Sequence, residues 1–280
     1  MSDMIQTFLQ FFWFPALVST ILLAGMAAMG VFYAYRGMAF VNLTVAQGGT
    51  LAVVATFALG LEQLVHPQFA AIVAGAVLGY VFGRRRADAA SDAWLTALLY
   101  AGMTGLTVIG IQQLPHEAHD INSALMGSAV LVSTAEGVVG ILLGAIGLCG
   151  FTFWSRGLAA VYFFPEAARV RGLPVRMLRV AGDVLGGALI ALSASTVGLL
   201  PTFAAAVVAS GAAAQLVRRF AVLPAVTVVV AVTGAAGGFF LAYVLDWPVG
   251  PTQTVLWATL WAVGSIIRLL IHPAAAGGAA

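Results

Sequence analysis

Long runs without a charged side chain are the feature that most constrains this sequence. They cover residues 4–35, 37–61, 93–116, 137–155, 184–217, 220–245 and 247–267. Several exceed the roughly 20 residues that an α-helix needs to cross a hydrocarbon core about 30 Å thick. Only 8% of the residues are charged, whereas a soluble domain carries about 25%. The sequence therefore predicts an all-α fold, a bundle of transmembrane helices that forms a single domain over residues 1–280.

Charges, prolines and polar clusters mark the ends of the apolar runs and predict nine spans. The predicted spans are 14–35, 38–60, 67–83, 93–113, 134–154, 178–200, 202–217, 221–245 and 252–271. The sixth and seventh are separated by Pro201 and Thr202 alone. One span followed by a re-entrant segment is an alternative there, so eight spans and nine spans both remain open.

The arginines predict an orientation. All twelve basic residues are arginines, at positions 36, 84, 85, 86, 156, 169, 171, 176, 179, 218, 219 and 268. In the nine-span arrangement all of them fall on one side, and basic residues accumulate on the cytoplasmic side of a membrane. We therefore expect an external N-terminus and a cytoplasmic C-terminus. The net charge of +2 is too small to indicate a nucleic-acid partner.

The longest cytoplasmic connection, residues 155–179, contains five of these arginines. Within it, residues 165–172 have the pattern of a short helix. Pro165 suits the first turn, Glu166 suits the positive N-terminal end, and Gly172 suits the C-terminal cap. Two interpretations remain open, an ordinary basic interfacial loop and a docking helix for a cytoplasmic partner.

Polar residues cluster in the predicted external loop before the fifth span. His116, Glu117, His119 and Asp120 place two imidazoles and two carboxylates within five residues. Neutral imidazole is a common zinc ligand, and histidines three apart can share one helical face. Metal contact at the external mouth and an ordinary solvated loop are both consistent with this pattern.

Two carboxylates and a row of glycines stand out near or within the spans. Glu136 and Asp183 lie close to predicted span ends, which favours an interfacial position, although carboxylates inside a membrane are often functional. Gly137, Gly140, Gly144 and Gly147 recur at helical spacing in the fifth span. Small residues at this spacing indicate a face that packs closely on a neighbouring helix, within one chain or between two.

Several segments, taken in order, resemble the permease subunits of zinc/manganese ABC importers. They are residues 36–41, 120–132, 153–156, 164–176, 197–200, 212–219 and 243–251. In that family a proline, an acidic residue and a following glycine dock onto the ATPase. The resemblance therefore implies this coupling role for Pro165, Glu166, Arg169 and Gly172.

The resemblance implies partners as well as a fold. They would be a separate cytoplasmic ATP-binding subunit, an external or periplasmic solute-binding protein and a second permease in a homodimer or heterodimer. The chain would lie among the lipids of the bacterial cytoplasmic membrane. It contains no phosphate-binding Gly-x-x-x-x-Gly-Lys-Ser/Thr motif and no lysine, so we expect no ATPase site and no bound cofactor in this chain.

The second span departs from the family at its metal site. The family carries an Asp and a His four residues apart, and Leu43 and Gln47 occupy these positions here. A leucine cannot bind a cation, and an amide oxygen is a poor substitute for imidazole as a zinc ligand. Neutral oxygens remain nearby, so Asn42, Thr44 and Gln47 are the candidate pathway residues. The family's proline in the seventh span is also absent, with Ala209 or Ser210 in its place.

Three functions are compatible with the spans. The resemblance favours an ABC importer for zinc or manganese, and the altered second span leaves room for a non-metal solute. An ion-coupled secondary carrier is a further alternative. Such carriers usually have intramembrane charges and internal repeats, and this sequence provides few such charges and no convincing repeat.

Overall fold

The computed structural model describes residues 6, 8, 10–84, 89–112, 130, 132–217 and 219–271. Throughout these residues the secondary structure is helical, with turns between the helices. The helices are α1 (Trp13–Tyr35), α2 (Ala39–Ala58), α3 (Pro67–Arg84), α4 (Ala89–Gln112), α5 (Thr134–Phe153), α6 (Ser155–Phe163), α7 (Pro165–Val170), α8 (Val175–Thr196), α9 (Leu199–Ala204), α10 (Ser210–Leu216), α11 (Leu223–Leu245) and α12 (Val249–Ile271), and a π-helical segment, Ala205–Ala209, joins α9 to α10.

Eight helical stretches in the described part of the chain are long and apolar enough to cross a bilayer. One of them, Leu199–Leu216, combines α9, the π-helical segment and α10. The last long helix, α12, has 23 residues, the same length as α1. A helix of that length is about 34 Å long, enough to span a hydrocarbon core. The predicted all-α bundle of eight to nine spans is confirmed.

The first span lies at the centre of the bundle. In its most apolar window, 78% of the residues are buried by other parts of the chain. Helix α1 packs against α5, α11 and the π-helical segment. Close approach depends on small residues: a Cβ added at Gly30 would collide with the backbone of Ala206. The apolar side chains of α1 therefore contact other helices instead of lipid, and they form the core of the protein.

The boundary between the sixth and seventh spans differs from the prediction. Helix α8 ends at Thr196 and α9 begins at Leu199, so the break falls at Val197 and Gly198. Gly198 adopts φ 115°, a conformation that glycine reaches without a steric penalty. Pro201 lies inside the first turn of α9, where its missing N–H is tolerated. The two segments are separate helices, and Leu199–Leu216 is long and apolar enough to cross a bilayer.

The glycine row of the fifth span packs inside the chain. Gly137, Gly140, Gly144 and Gly147 are all buried, and the first three face side chains of α1. The prediction of a close-packing face is confirmed, and its neighbours are α1 and, at Gly147, Leu189 of α8 in the same chain. At the start of α5, Ser133 and Glu136 form a reciprocal capping box, which accounts for Glu136 at the end of this span.

Candidate translocation and coupling sites

The predicted short helix is present in the connection between the fifth and sixth spans. Helix α7 begins with Pro165 in its first turn, carries Glu166 in that same turn, and ends at Val170. Gly172 follows with φ 76°, the left-handed conformation that commonly ends a helix. Each of the three sequence signals therefore stands where its physical role requires.

Helix α7 is held on a small apolar base. Val161 of α6, Ala168 of α7, and Val175 and Leu178 of α8 form one buried cluster. Ala168 is fully buried, whereas the side chain of Glu166 on the same helix is 80% exposed. The helix is thus fixed on one face and presents the other face to the surroundings.

The exposed face of α7 carries an ion pair. Arg169 Nη1 donates to Glu166 Oε1 at 2.7 Å, one turn along the helix. Both side chains are more than half exposed, so the pair contributes little to stability. The ion pair instead fixes positions, because it holds an acidic and a basic group side by side on the outer surface of α7.

A second, buried ion pair joins α1 to α8. Arg36, just after α1, donates from Nη1 to Asp183 Oδ1 at 2.6 Å. The Asp183 side chain is 1% exposed, so it is buried between helices of the bundle. The carboxylate points into the bundle towards α3, where a Cβ at Gly83 would collide with it. The Arg36 side chain is only 13% exposed, so its guanidinium is largely buried with this carboxylate.

Tyr162 of α6 completes this buried cluster. Its hydroxyl donates to Asp183 Oδ1 at 3.2 Å, and its ring lies 4.5 Å from the guanidinium carbon of Arg36. Burial, followed by the nearby Asp183 carboxylate, raises the pKa of Tyr162 far above its usual range, so the hydroxyl stays neutral and keeps donating. The cluster therefore connects α6, which carries α7, to the central helix α1.

Arg36 keeps its positive charge within this buried cluster. Burial by itself lowers the pKa of Arg36, but Asp183, Tyr33 and Tyr162 outweigh that effect and the pKa is raised. The second carboxylate oxygen, Asp183 Oδ2, is buried without a hydrogen-bond partner. Sequence reasoning missed this site, although a signal existed: Asp183 and Arg36 each border a long uncharged run.

The candidate pathway residues Thr44 and Gln47 face α4. Thr44 Oγ1 donates to the carbonyl of Thr96 at 3.1 Å, and Gln47 Nε2 donates to Thr107 Oγ1 at 3.2 Å. Both residues are buried, Thr44 fully and Gln47 with 3% exposure. The predicted shared face of Thr44 and Gln47 therefore exists, and in this conformation it is closed by contacts with α4.

Asn42 lies on another side of α2. It shares a helical stripe with Gly49, two turns further on, and Gly49 packs on Ala191 of α8. Asn42 is 1% exposed, and neither its amide nitrogen nor its amide oxygen has a hydrogen-bond partner. Leu43 is half-buried. The structure thus brings Thr44 and Gln47 together and separates Asn42 from them.

The π-helical segment lies where the family's proline is missing. The side chain of Ser210 is buried, and its Oγ donates to the carbonyls of Ala206 at 2.7 Å and Val207 at 3.0 Å. A widened turn frees backbone carbonyls, and Ser210 satisfies two of them. The irregular turn therefore persists here without a proline.

The external cluster His116, Glu117, His119 and Asp120 lies outside the described residues. Among the residues that the structure does describe, no group of three or more His, Cys, Asp or Glu side chains is arranged to hold a metal ion.

Known proteins share both the sequence pattern and the fold. Residues 10–268 match the profile of the ABC 3 transport family. The high-affinity zinc uptake system membrane protein ZnuB of Haemophilus influenzae is 25% identical over 260 residues, which cover 91% of this chain and 97% of that protein.

Two solved structures have the same fold. PsaBC from Streptococcus pneumoniae, in complex with a Fab, superposes with a TM-score of 0.74 at 19% identity, covering 94% of each chain. A transporter described as of the metal-chelate ABC type, in an inward-facing conformation, gives a TM-score of 0.71 at 18% identity and covers 94% of this chain and 89% of that one. The family match spans most of the sequence, and the apolar helices cross a membrane several times. This chain therefore belongs to the ABC 3 transport family, as a multi-pass permease subunit of the bacterial cytoplasmic membrane.

Proposed function

We propose that this permease imports zinc or manganese, with ATP hydrolysed by a separate cytoplasmic subunit and the ion delivered by an external solute-binding protein. The similarity to ZnuB, which extends over 97% of that protein, supports the metal assignment. The absence of lysine from the whole sequence supports a separate ATPase, since the usual phosphate-binding loop requires one.

The observation that carries the proposal is the geometry of α7. A rigid helix with a buried base and an exposed Glu166–Arg169 face is suited to receive force from a partner subunit. Its base is shared with α8, and α8 is joined through Asp183 to Arg36 beside the central helix. Movement imposed on Pro165, Glu166, Arg169 and Gly172 would therefore reach the middle of the bundle.

The ion would cross along the second span. Thr44 and Gln47 offer neutral oxygen and amide groups on one face, which opens when α2 and α4 separate. Neutral ligands release a divalent cation readily, but they do not offset its desolvation inside a membrane. Capture would then fall to the binding protein and to His116 and His119 at the external mouth, with Glu117 and Asp120 beside them.

The proposed arrangement has the N-terminus outside and the C-terminus in the cytoplasm. The distribution of the arginines supports it, and it places α7 on the ATPase side. We also propose that two permease subunits form one importer, as identical or different chains.

A non-metal solute is the second candidate. Leu43 and Gln47 favour it, because they replace the family's charged and imidazole ligands with an apolar and an amide side chain. The two candidates differ in whether cells that lack the permease become short of metal.

The test is deletion of this gene in its own host, with complementation in trans. On medium depleted of zinc or manganese, we expect lower cellular content of one of these metals and slower growth, both restored by the wild-type gene. Unchanged content of both metals under depletion would reject metal import, and a solute screen of the binding protein would then identify the substrate.

A further inference from the structure

A cleft of about 800 Å³ opens beside α7, between the end of α3 and the start of α8. Three arginines lie along it, Arg84, Arg169 and Arg176. The remaining lining is mainly apolar and includes Val180, Ala181 and Val184 of α8. The cleft thus has a basic rim and an apolar floor.

Two of the three arginines have no acidic partner among the described residues. Arg169 is paired with Glu166 at 2.7 Å. Arg84 and Arg176 are exposed and have no carboxylate partner within the described residues. The Arg84 guanidinium donates to the Tyr80 hydroxyl at 2.6 Å, which holds it along the cleft wall.

The position of the cleft matches the edge of a bilayer. Arg84 is the last residue of α3, and Arg176 is the second residue of α8. Both helices are membrane spans, so these guanidinium groups lie at the depth of lipid headgroups. Along α8, Val180 and Val184 lie about 8 and about 14 Å beyond Val175, beside the last turn of α3, where a Cβ at Gly83 would collide with Asp183.

We propose that this cleft binds an anionic phospholipid, with its phosphate between Arg84 and Arg176 and an acyl chain along Val180, Ala181 and Val184. Basic pockets between spans on the cytoplasmic side suit acidic headgroups. An acidic protein surface would use the rim alone. The apolar floor, which continues into the membrane, favours a lipid. Because the lipid would touch both α8 and the segment that carries α7, its occupancy would stiffen the coupling region.

The test uses the full-length permease in mild detergent, with phosphatidylglycerol as the probe and native mass spectrometry to count bound lipid. We expect the double variant Arg84→Gln/Arg176→Gln to bind phosphatidylglycerol about fivefold more weakly for each arginine, or roughly 25-fold in total. Phosphatidylcholine binding should change less, because its choline group offsets the phosphate charge. The matched control Arg171→Gln removes an exposed arginine outside the cleft and should bind phosphatidylglycerol like the wild type.

A second variant changes the floor without changing the charge. Ala181→Phe fills the cleft and should also weaken phosphatidylglycerol binding. If the double variant folds poorly, this single variant tests the proposal. Inorganic phosphate should not displace the lipid, because it lacks an acyl chain; full displacement would reduce the site to a simple anion site and overturn the proposal. Wild-type lipid binding by both variants would also overturn the proposal. If the double variant then failed to retain the ATPase subunit, the cleft would be a protein contact.

Discussion

Arg36 and Asp183 form a buried ion pair, with Nη1 and Oδ1 separated by 2.6 Å although the residues are 147 positions apart in sequence. The Arg36 side chain is 13% exposed and the Asp183 side chain 1%. Tyr162 supplies a further hydrogen bond to the same carboxylate oxygen. Together, Arg36, Asp183 and Tyr162 therefore join α1, α8 and α6.

Removing one partner of this pair should destabilise the bundle strongly. Asp183→Asn leaves the Arg36 charge buried without compensation, for which we expect a loss of about 3–5 kcal/mol. The measurement is thermal unfolding in detergent. Asp246→Asn is the matched control, because it neutralises an exposed carboxylate at a left-handed position that asparagine also tolerates.

The double variant Arg36→Met/Asp183→Asn tests whether the pair acts as a unit. It removes both charges, so its loss should be smaller than the sum of the two single losses. Additive losses would mean that the two side chains contribute independently.

Reversing the charge of Glu166 should uncouple ATP hydrolysis from transport. Glu166→Arg breaks the contact with Arg169 and places two positive charges one turn apart on the exposed face of α7. Because the base of α7 is untouched, we expect normal membrane insertion and a loss of metal uptake. Uptake and ATPase activity are measured together in membranes, with Glu62→Arg, an exposed residue on the predicted external side, as the control. Normal uptake with normal ATPase stimulation would contradict the coupling role.

Larger side chains on the glycine face of α5 should overpack its contact with α1. A Cβ at Gly144 would lie 3.0 Å from Ile21 Cγ2 and 3.2 Å from the Ile21 backbone, so Gly144→Leu cannot be accommodated without moving the helices apart. We expect a cost of about 1–3 kcal/mol, and more than that if the backbone cannot shift. Gly140→Leu should behave similarly, although side chains alone face it.

The matched control for the glycine variants is Gly105→Leu on α4, where an added Cβ meets nothing within 4 Å. Melting temperature and the size-exclusion profile in detergent provide the comparison. Equal stability of all three variants would show that α1 and α5 separate easily.

Gln47→Ala tests the proposed route through the second span. It removes the bond to Thr107 and an amide from the shared face, so we expect reduced metal uptake at normal expression. Thr56→Ala is the control, because that hydroxyl bonds only to the preceding turn of α2, at Ala52. His116→Ala/His119→Ala tests the external mouth in the same assay. Loss of uptake in the histidine variant alone would place metal binding at the external mouth instead of the second span. Full uptake in both variants would reject this account of the pathway.

Local signals in the sequence were sufficient for the spans and for α7. Uncharged runs specify membrane helices because a charged side chain in hydrocarbon is costly. Pro165, Glu166 and Gly172 mark the start and end of α7 because proline, an acidic group and glycine each suit one end of a helix. The spacing of the α5 glycines likewise predicted a packing face, since helical periodicity is a local property.

The tertiary structure decided what depends on how helices rotate and pack. The sequence placed Asp183 near a span end but did not specify the direction of its side chain, because distance along the chain to a span end says nothing about which way a side chain points. Rotation of α2 sends Thr44 and Gln47 towards α4 and leaves Asn42 on another side. Gly144 could have faced a second subunit, and the packing of α5 on α1 assigns it to the interior of the chain. The sequence by itself therefore determined which segments enter the membrane and where α7 begins and ends, while the burial of Arg36 with Asp183 required the folded bundle, because only packing brings residues 147 positions apart into contact.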